Sequence, residues 1–397
     1  MVVANPYTPS DRPRVFVGRE RERDRLRDRL ARVAAYGEMM GPLTIVTGPR
    51  GVGKTSLLRD VAAQAAVDGF VVAWSSCVKR RTFLSEVTGS VTRALDRADA
   101  STPPGRASKV TVELRAGLAR VAAEFTKPPA DVAGRIGPLE DFFEAASSLV
   151  RARGGAGLVV MVDELHAPLE SASDWEYQPD AEASTEAAVL LNVVQEMGAE
   201  RDRFPLGVIG AGLPQTKGLL TRAATFGERS HEIVLSELDD ETSARVLTAP
   251  AEALDVRWAP DALQEAVATA QGYPQSLQLL GAATWDVARP ESGTTLTLDD
   301  FRKGLEAAEQ DLTSMYEARW SVTTPAERTF LSAMATLGDG EIRRQAIADA
   351  LGVPTTALST QRQNLINKGV VEEAGRGLLR FTVPGFADFV RRRGGDR

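Results

Sequence analysis

Residues 48 to 55 read Gly48-Pro-Arg-Gly-Val-Gly-Lys54-Thr55, and this stretch decides the fold. It fits the pattern G-x-x-x-x-G-K-[ST] at every fixed position. The glycines let backbone N–H groups curl around phosphate groups, and the helix that follows points its positive end at them. We therefore predict an ATP-binding loop in which Lys54 reaches the β- and γ-phosphates and Thr55 ligates Mg²⁺. The candidate nucleotide-binding residues of this loop are Gly48, Pro49, Arg50, Gly51, Val52, Gly53, Lys54, Thr55 and Ser56.

The sequence on both sides of the loop has the context that this motif requires. Residues 43–47 predict a short buried strand before the loop, and residues 54–66 predict a helix after it. Strand and helix patterns then alternate along the chain. This alternation predicts an α/β fold, with a parallel P-loop sheet and helices on both of its faces. Further strands are predicted at residues 70–74, 158–162, 206–209 and 232–235.

A second acidic motif supports the same chemistry. The segment Leu158-Val-Val-Met-Val-Asp163-Glu164 is an apolar strand that ends in two carboxylates. We predict that Asp163 holds Mg²⁺ through water and that Glu164 orients and polarises the attacking water. Both are therefore candidate site residues, Asp163 for the metal and Glu164 for catalysis.

The rest of the chain is predicted to form further domains. We expect residues 1–238 to be the nucleotide-binding domain, with an insertion at about 99–137 that proline and glycine residues interrupt. After residue 238 the strand patterns stop, so residues 239–319 are expected to be a lid of three or four helices. Residues 320–397 are expected to be a separate domain.

The predicted insertion has two interpretations. Residues 110–114 and 121–125 are expected to pair as a β-hairpin, with helix as the alternative. Its cations Lys109, Arg115 and Arg120 are candidates for contact with nucleic acid or a neighbouring subunit. A plain surface insertion explains them equally well.

The last domain begins with a capping box. Thr324-Pro-Ala-Glu327 starts a helix with proline at its first position. Two more helices and a two-stranded wing follow, a pattern typical of a winged-helix domain, with Arg376 at the wing tip. In DNA-binding members the third helix enters the major groove, but winged helices also bind proteins. The polar set of this helix is Thr356, Ser359, Gln361, Arg362, Gln363 and Asn364, and Lys368 follows at its end.

The composition of the chain limits the kinds of protein that it can be. The apolar fraction of 43% and the charged fraction of 25% are ordinary for a soluble globular protein. The net charge is −7, but residues 321–397 carry +3 and the rest −10, a weak indication of DNA contact by the last domain alone. One cysteine, Cys77, excludes an internal disulfide. With no long apolar run and no signal-peptide pattern, we expect a cytoplasmic protein without a membrane span.

These motifs together resemble the AAA+ ATPases related to origin-recognition initiators and to the STAND signalling ATPases. The resemblance is carried by Phe16-Val-Gly-Arg-Glu20, the phosphate-binding loop and Asp163-Glu164. It implies that Phe16, Val17 and Gly18 contact the adenine base. The alternative for Phe16 is packing under the first helix.

A narrower resemblance, to bacterial initiator-like AAA+ proteins, covers roughly residues 5 to 392. It is carried by the order of several short segments rather than by any one of them. These segments are Gly210-Ala-Gly-Leu-Pro214, Pro250-Ala-Glu252, Gly272-Tyr-Pro-Gln-Ser-Leu-Gln278 and Trp285.

The chain departs from the usual AAA+ pattern at two positions. The fourth strand runs into Gly210-Ala-Gly212, where a polar side chain usually senses the γ-phosphate, and Gln215 or Thr216 is the candidate substitute. The lid carries Gly272-Tyr273-Pro274 instead of an arginine, which resembles the G-x-P signature of STAND proteins. This resemblance places Pro274 near the base. We therefore expect slow turnover, with ATP acting more as a switch than as fuel.

Two further residues have competing interpretations. In oligomeric AAA+ proteins the position of Arg229, just before the fifth strand, supplies an arginine finger to the neighbouring subunit. The runner-up is Arg222, and a surface ion pair is the alternative for Arg229. His166 is a candidate for a phosphate-sensing network or, alternatively, a polar strand terminus.

Three functions follow from these patterns. The first is an ATP-switched, oligomeric ATPase that contacts DNA through residues 320–397. The second is a STAND-like regulator whose last domain binds a protein partner. The third is a nucleotide-binding scaffold without hydrolysis.

Overall fold

A computed structural model describes residues 3–9, 11–77, 83–100, 118, 123, 125, 133–169 and 181–394. The chain divides into two compact units. One consists of Arg19–Thr47 and Leu57–Val234, and the other of Met1–Gly18, Gly48–Ser56 and Leu235–Arg397. Both strands of the predicted hairpin, and Lys109, Arg115 and Arg120, fall on the part of the chain that the structure does not describe, apart from isolated positions. The predicted domain limits at residues 238 and 319 stay predictions.

A five-stranded parallel sheet forms the centre of the first unit. Its strand order is β2-β3-β4-β1-β5, and all four strand pairs are parallel. Every residue of β1, β3 and β4 is buried, as expected for parallel strands covered on both faces. The predicted α/β class is therefore confirmed. The strands are β1 (Thr44–Thr47), β2 (Phe70–Ser76), β3 (Gly157–Asp163), β4 (Leu206–Gly212) and β5 (His231–Val234).

Helices flank this sheet because each carries an apolar stripe. In the first helix Leu26, Leu30 and Val33 are buried, at the spacing of one helical face. No helix within the described ranges is long and apolar enough to cross a bilayer. The helices up to residue 234 are α1 (Glu20–Tyr36), α2 (Lys54–Val67), α3 (Phe83–Ala100), α4 (Ala133–Ala152), α5 (Ala181–Ala199) and α6 (Thr216–Ala223), with short 3₁₀ turns at Ala167–Leu169, Arg201–Arg203 and Thr225–Arg229.

The region after residue 238 differs from its prediction. The expectation that strands stop there is wrong, because β6 (Arg257–Trp258) and β7 (Thr295–Leu296) form a two-stranded parallel sheet. Each strand has only two residues, too few to show a period of two in sequence. Between residues 239 and 321 there are also five helices rather than three or four. They are α7 (Asp240–Glu252), α8 (Pro260–Ala270), α9 (Pro274–Ala288), α10 (Leu298–Ala307) and α11 (Glu309–Ser321).

The last part of the chain combines helices with a small antiparallel sheet of order β8-β10-β9. The predicted capping box is present: the Thr324 hydroxyl accepts from the Glu327 N–H, and the Glu327 carboxylate accepts from the Thr324 N–H. Sequence reasoning missed strand β8 and the final helix. The elements are α12 (Pro325–Leu337), β8 (Ile342–Arg343), α13 (Arg344–Leu351), a 3₁₀ turn (Thr355–Leu358), α14 (Ser359–Asn367), β9 (Val371–Gly375), β10 (Leu378–Phe381) and α15 (Phe386–Gly394).

Helix α11 belongs to the core of this last part. Its residues Met315 and Tyr316 are buried with Phe330, Phe386 and other apolar residues of the C-terminal elements. A separate cluster joins residues of α7 to α10 with Tyr7 near the N-terminus. Residues of α11 therefore pack with the C-terminal elements.

Candidate nucleotide-binding site

The phosphate-binding turn follows β1 directly and opens into a helix. Strand β1 ends at Thr47, and α2 begins at Lys54. Gly51 and Gly53 have φ angles of +82° and +97°, a region that side chains with a Cβ adopt at a cost. The two glycines thus supply the left-handed backbone that a phosphate-binding loop needs before a helix N-terminus.

Lys54 folds back into the turn. Its Nζ donates to the carbonyl oxygens of Gly48 at 2.9 Å and Pro49 at 2.7 Å, and the side chain is buried. A buried ammonium group needs such acceptors to offset its desolvation. The charge of Lys54 therefore lies at the turn itself, where it is available to an incoming triphosphate.

Three residues from distant parts of the sequence hold the outer side of the turn. The Tyr273 hydroxyl and Arg319 Nη2, the latter at 3.3 Å, both donate to the Arg50 carbonyl oxygen. The backbone N–H of Gln275 donates to the Gly51 carbonyl oxygen at 3.2 Å. A Cβ on Gly51 would lie 2.6 Å from the Tyr273 hydroxyl and would also overlap with the Gln275 amide oxygen. Glycine at this position thus permits the close approach.

Sequence reasoning did not identify Tyr273, Gln275 or Arg319 as site residues. A signal for Arg319 exists, because it follows Leu312, Met315 and Tyr316 at the spacing of one helical face. Arg319 is only 7% exposed and Tyr273 only 1%. Burial raises the pKa of the Tyr273 hydroxyl, and the Arg319 charge partly opposes that rise. Tyr273 thus stays a neutral donor at physiological pH.

The predicted base-contacting residues lie in the same compact unit as the turn. Phe16 is half-buried, and Val17 packs against the core of helices α7 to α10. Gly18 has a φ of +80°, and a Cβ there would lie 2.5 Å from the Thr242 methyl group. Pro274 is the first residue of α9, between the two residues that bond to the turn. The role of these residues in binding adenine stays a prediction.

The acidic end of β3 is tightly organised. The Asp163 side chain is buried, and its Oδ1 accepts from the Glu164 N–H at 3.0 Å. Glu164 has a φ of +54°, a conformation that costs about 1–3 kcal/mol for a residue with a side chain. Its carboxyl group is 46% exposed and lies 3.3 Å from Nε2 of His166. This backbone conformation turns Glu164 out of the strand direction and into solvent.

His166 connects Glu164 to the neighbouring strand. The imidazole is 2% exposed, and its Nδ1 accepts from the Leu213 backbone N–H at 3.4 Å. Because Nδ1 accepts, Nε2 carries the proton and donates to Glu164. Because Leu213 directly follows β4, His166 joins the end of β3 to the end of β4. A role for His166 in sensing phosphate stays a prediction.

The strands that carry these motifs end at one edge of the sheet. Strands β1 and β3 are both parallel to β4, which lies between them. Thr47 pairs with Gly212 at the end of β4, and Val162 pairs with Gly210. The carboxyl ends of β1 and β3 therefore share the edge at which α/β sheets bind ligands.

The end of β4 has no room for a polar sensing side chain. A Cβ on Gly210 would lie 2.7 Å from the Leu165 side chain, and a Cβ on Gly212 would overlap with the Thr216 hydroxyl. That hydroxyl donates to the Leu213 carbonyl oxygen at 2.6 Å, and Gln215 is buried. Packing thus explains the departure from the usual pattern.

Arg229 and Asp163 lie at opposite ends of the parallel strands, because Arg229 precedes β5 and Asp163 is the last residue of β3. It ends the 3₁₀ turn that precedes β5 and is exposed. Together with Arg29, Arg32 and Arg201 it lines a cleft of about 420 Å³. Within the unit that contains the sheet, Arg229 therefore does not lie beside Glu164.

The polar surface predicted on the last domain is smaller than its sequence indicates. Lys368 is buried and donates to Glu327 at 2.7 Å, with side-chain exposures of 3% and 2%. Lys368 is therefore not one of the cations that face solvent. Arg362 forms an ion pair with Glu373 and lines an open cleft with Arg344 and Arg376.

Comparisons with known proteins agree with this site. A family model for the AAA ATPase domain matches residues 15–209. A second model, for a domain of unknown function (DUF8462), matches residues 313–390, a range that includes most of α11. No curated protein matches the chain in sequence. The family match identifies residues 15–209 as an AAA ATPase domain, and the fold is that of an AAA+ P-loop ATPase.

Two solved structures are similar to the whole chain. The Walker-type ATPase of Pyrococcus abyssi is 18% identical with a TM-score of 0.66, covering 95% of this chain and 96% of that one. The ORC2 protein of Aeropyrum pernix, in its ADPNP and ADP complexes, is 16% identical with a TM-score of 0.55. That match covers 98% of both chains. At these identities the similarity shows a shared fold.

Proposed function

We propose that this protein is an ATP-binding switch that hydrolyses ATP slowly. One observation carries the proposal: a turn with left-handed Gly51 and Gly53 opens directly into α2, with the Lys54 charge inside it. In this proposal Lys54 binds the β- and γ-phosphates, and Glu164 polarises the attacking water. Phe16, Val17, Gly18 and Pro274 would contact the base.

The donor set also fits a magnesium ion. Mg²⁺ prefers oxygen ligands and retains several waters, so a threonine hydroxyl, one carboxylate and the phosphates suffice. Thr55 and Asp163 are the residues that would hold it. When bound, the metal neutralises charge on the phosphates during transfer.

The experiment that tests hydrolysis uses Glu164→Gln. The variant should bind ATP with unchanged affinity in a calorimetric titration, while its phosphate release falls at least about 100-fold. Glu228→Gln is the matched control, because Glu228 is an exposed carboxylate in the 3₁₀ turn before β5. Full turnover in Glu164→Gln would reject Glu164 as the base, and absence of ATP binding by the unaltered protein would reject the nucleotide site.

We further infer that residues 320–397 form a winged-helix domain that contacts DNA. The helix and strand order of this part and the three arginines of the open cleft support the inference. The expected DNA affinity is modest, because Lys368 is buried and Arg362 is paired. Affinity for duplex DNA should fall with salt, and Arg376→Ala should reduce the salt slope. Arg302→Ala, on α10, is the control that should leave both unchanged.

The proposal also includes a homo-oligomer in the cytoplasm. Arg229 is exposed at the end of the strands opposite to Asp163, a position suited to a neighbouring subunit's site. Sizing of the protein with and without ATP tests assembly, and Arg229→Ala should assemble but lose turnover. Unchanged turnover in that variant would leave Arg229 as a surface residue. The single cysteine supports the cytoplasmic location.

The alternative is a STAND-like regulator whose last domain binds a protein partner. Two observations favour it: the Gly272-Tyr273-Pro274 segment lies against the turn, and β4 lacks a polar sensing residue. Absence of DNA binding at low salt, with ATP binding intact, would support this alternative over DNA contact.

A further inference from the structure

The carbonyl groups on the outer side of the turn determine where its N–H groups point. A trans peptide is planar and holds its C=O and N–H on opposite sides. Bonding the Arg50 carbonyl to Tyr273 and Arg319 therefore directs the Gly51 N–H to the other side of that peptide plane. The bond from Gln275 to the Gly51 carbonyl does the same for the Val52 N–H.

These bonds also act electrostatically. Arg319 places a fixed positive charge on the Arg50 carbonyl oxygen, which polarises the peptide and strengthens its N–H as a donor. The same guanidinium donates to the Tyr273 hydroxyl at 2.8 Å and to the Gln275 amide oxygen at 3.4 Å. The three residues thus form one connected network that fixes two successive peptide planes of the turn.

Arg319 connects this network to the C-terminal core. Its Nη1 donates to the Met315 carbonyl oxygen at 2.9 Å, within α11. On the same helix, the Tyr316 ring packs against Phe386 and Phe389 of α15, with centroids 6.0 Å and 5.6 Å away. A shift of α11 relative to α15 would therefore move the guanidinium that holds the turn.

We propose that Tyr273 and Arg319 are positioning residues that preset the turn for phosphate and couple its occupancy to the C-terminal core. The inference rests on the proposed ATP site. Neither residue needs to touch the nucleotide, because each acts through the Arg50 carbonyl. When a triphosphate accepts hydrogen bonds from these N–H groups, it polarises the same peptides and strengthens the bonds that their carbonyl oxygens accept from Tyr273, Arg319 and Gln275, which holds Arg319 more firmly and stabilises the packing of α11 on α15.

Conservative variants test the positioning role. Tyr273→Phe keeps the ring and removes the donor, and Arg319→Lys keeps the charge and removes the planar fork. Each should weaken ATP binding about tenfold, the factor expected for one hydrogen bond to the turn. Because the residues act on binding, KM should rise while kcat at saturating ATP changes less than about twofold.

Tyr7→Phe is the matched control. The buried Tyr7 hydroxyl donates to the Leu247 carbonyl oxygen, in the separate cluster of helices α7 to α10. This variant loses one tyrosine hydrogen bond of the same kind and should bind ATP normally. Equal losses of affinity in Tyr273→Phe and Tyr7→Phe would show a merely structural effect and overturn the positioning role.

Hydrogen exchange tests the coupling. In the unaltered protein, ATP should slow amide exchange in α11 and α15, and at saturating ATP this slowing should be lost in Arg319→Lys. Identical slowing in Arg319→Lys would overturn the coupling. Normal ATP affinity in both variants, with binding by the unaltered protein, would overturn the inference and leave the proposed ATP site standing. Failure of the unaltered protein to bind would instead reject the site itself.

Discussion

The phosphate-binding turn and the end of β3 carry two halves of one predicted chemistry, but the chain supports them in different ways. The turn is held by Tyr273 and Arg319, which are 223 and 269 residues away from Arg50 in sequence. Glu164 at the strand end is held by its own backbone conformation and by His166, two residues further on. The support of the turn is thus distant in sequence, and that of the strand end is mainly local.

This difference has a consequence for how substitutions should act. Changes at the turn should alter nucleotide affinity, because the turn binds the phosphates. Changes at the strand end should alter turnover, because Glu164 acts on the water. Variants that separate these two effects test the comparison directly.

The largest effect is expected from Lys54→Ala. Removing the ammonium group deletes charge-assisted bonds to two phosphates, so Kd for ATP should rise at least about 100-fold, or about 2.7 kcal/mol. Calorimetric titration measures this change. Lys217→Ala is the control, since Lys217 is a half-exposed lysine 3.5 Å from Glu232. Unchanged affinity in Lys54→Ala would mean that the ammonium group stays on the Gly48 and Pro49 carbonyls when ATP binds.

A smaller effect is expected from Gly51→Ala. The substitution strains the backbone at a φ of +82° and forces a Cβ against Tyr273 and Gln275. The free energy of unfolding should fall by about 2 kcal/mol, and ATP affinity should drop about tenfold or more. Urea unfolding and calorimetry give the two values.

Gly377→Ala is a control that introduces backbone strain without steric overlap. Gly377 has a φ of +76°, but a Cβ there has no atom within 4 Å. This variant should lose about 1 kcal/mol of stability from backbone strain alone and keep its ATP affinity. If Gly51→Ala lost no more stability than Gly377→Ala, close packing against the turn would not be what requires glycine there.

The same contrast explains what could be predicted from sequence. The loop motif and the apolar run before Asp163 are local patterns, so the turn, the acidic strand end and the parallel sheet followed from them. Arg319 was missed because its partner on the turn lies in a distant segment, and an arginine on an apolar helical face was the only signal. Lys368 was placed at the end of the third helix of the last domain, but its burial on Glu327 depends on tertiary packing and could not be predicted.

At the end of β3, two variants of His166 should each keep one of its two hydrogen bonds and lose the other. His166→Gln places an amide near the position of Nε2 and keeps a donor for Glu164. His166→Asn places an amide near Nδ1 and keeps an acceptor for the Leu213 N–H. We expect turnover in the Asn variant to fall about tenfold with ATP affinity unchanged, and turnover in the Gln variant to fall less.

Phosphate release and calorimetry measured on the same preparations check this pair. Equal turnover in both variants would show that His166 does not orient Glu164. A loss of ATP affinity in both would show instead that the imidazole supports the site as a whole. The second result would remove the functional difference between the strand end and the turn.

The smallest effect concerns the charges that lie beyond the turn, toward the C-terminal sheet. Arg380 on β10 forms ion pairs with both Glu237 and Glu372, and the Glu237 charge also raises the pKa of Tyr273. Burial and the nearby Glu237 raise the pKa of Glu372 from 4.5 to about 6. The folded protein therefore holds the Glu372 proton more tightly than the unfolded chain does.

Stability from this group should be fully present below about pH 4.5 and be lost as the pH rises through about 6. We expect a loss of on the order of 1 kcal/mol or less, because the group is partly exposed and screened by solvent. Urea unfolding at pH 4.5 and at pH 7 gives the difference in the free energy of unfolding between the two pH values. This difference should be smaller in Glu372→Gln. It should persist in the control Glu373→Gln, whose exposed carboxylate pairs with Arg362. An equal pH dependence in the unaltered protein and Glu372→Gln would place the titrating group elsewhere.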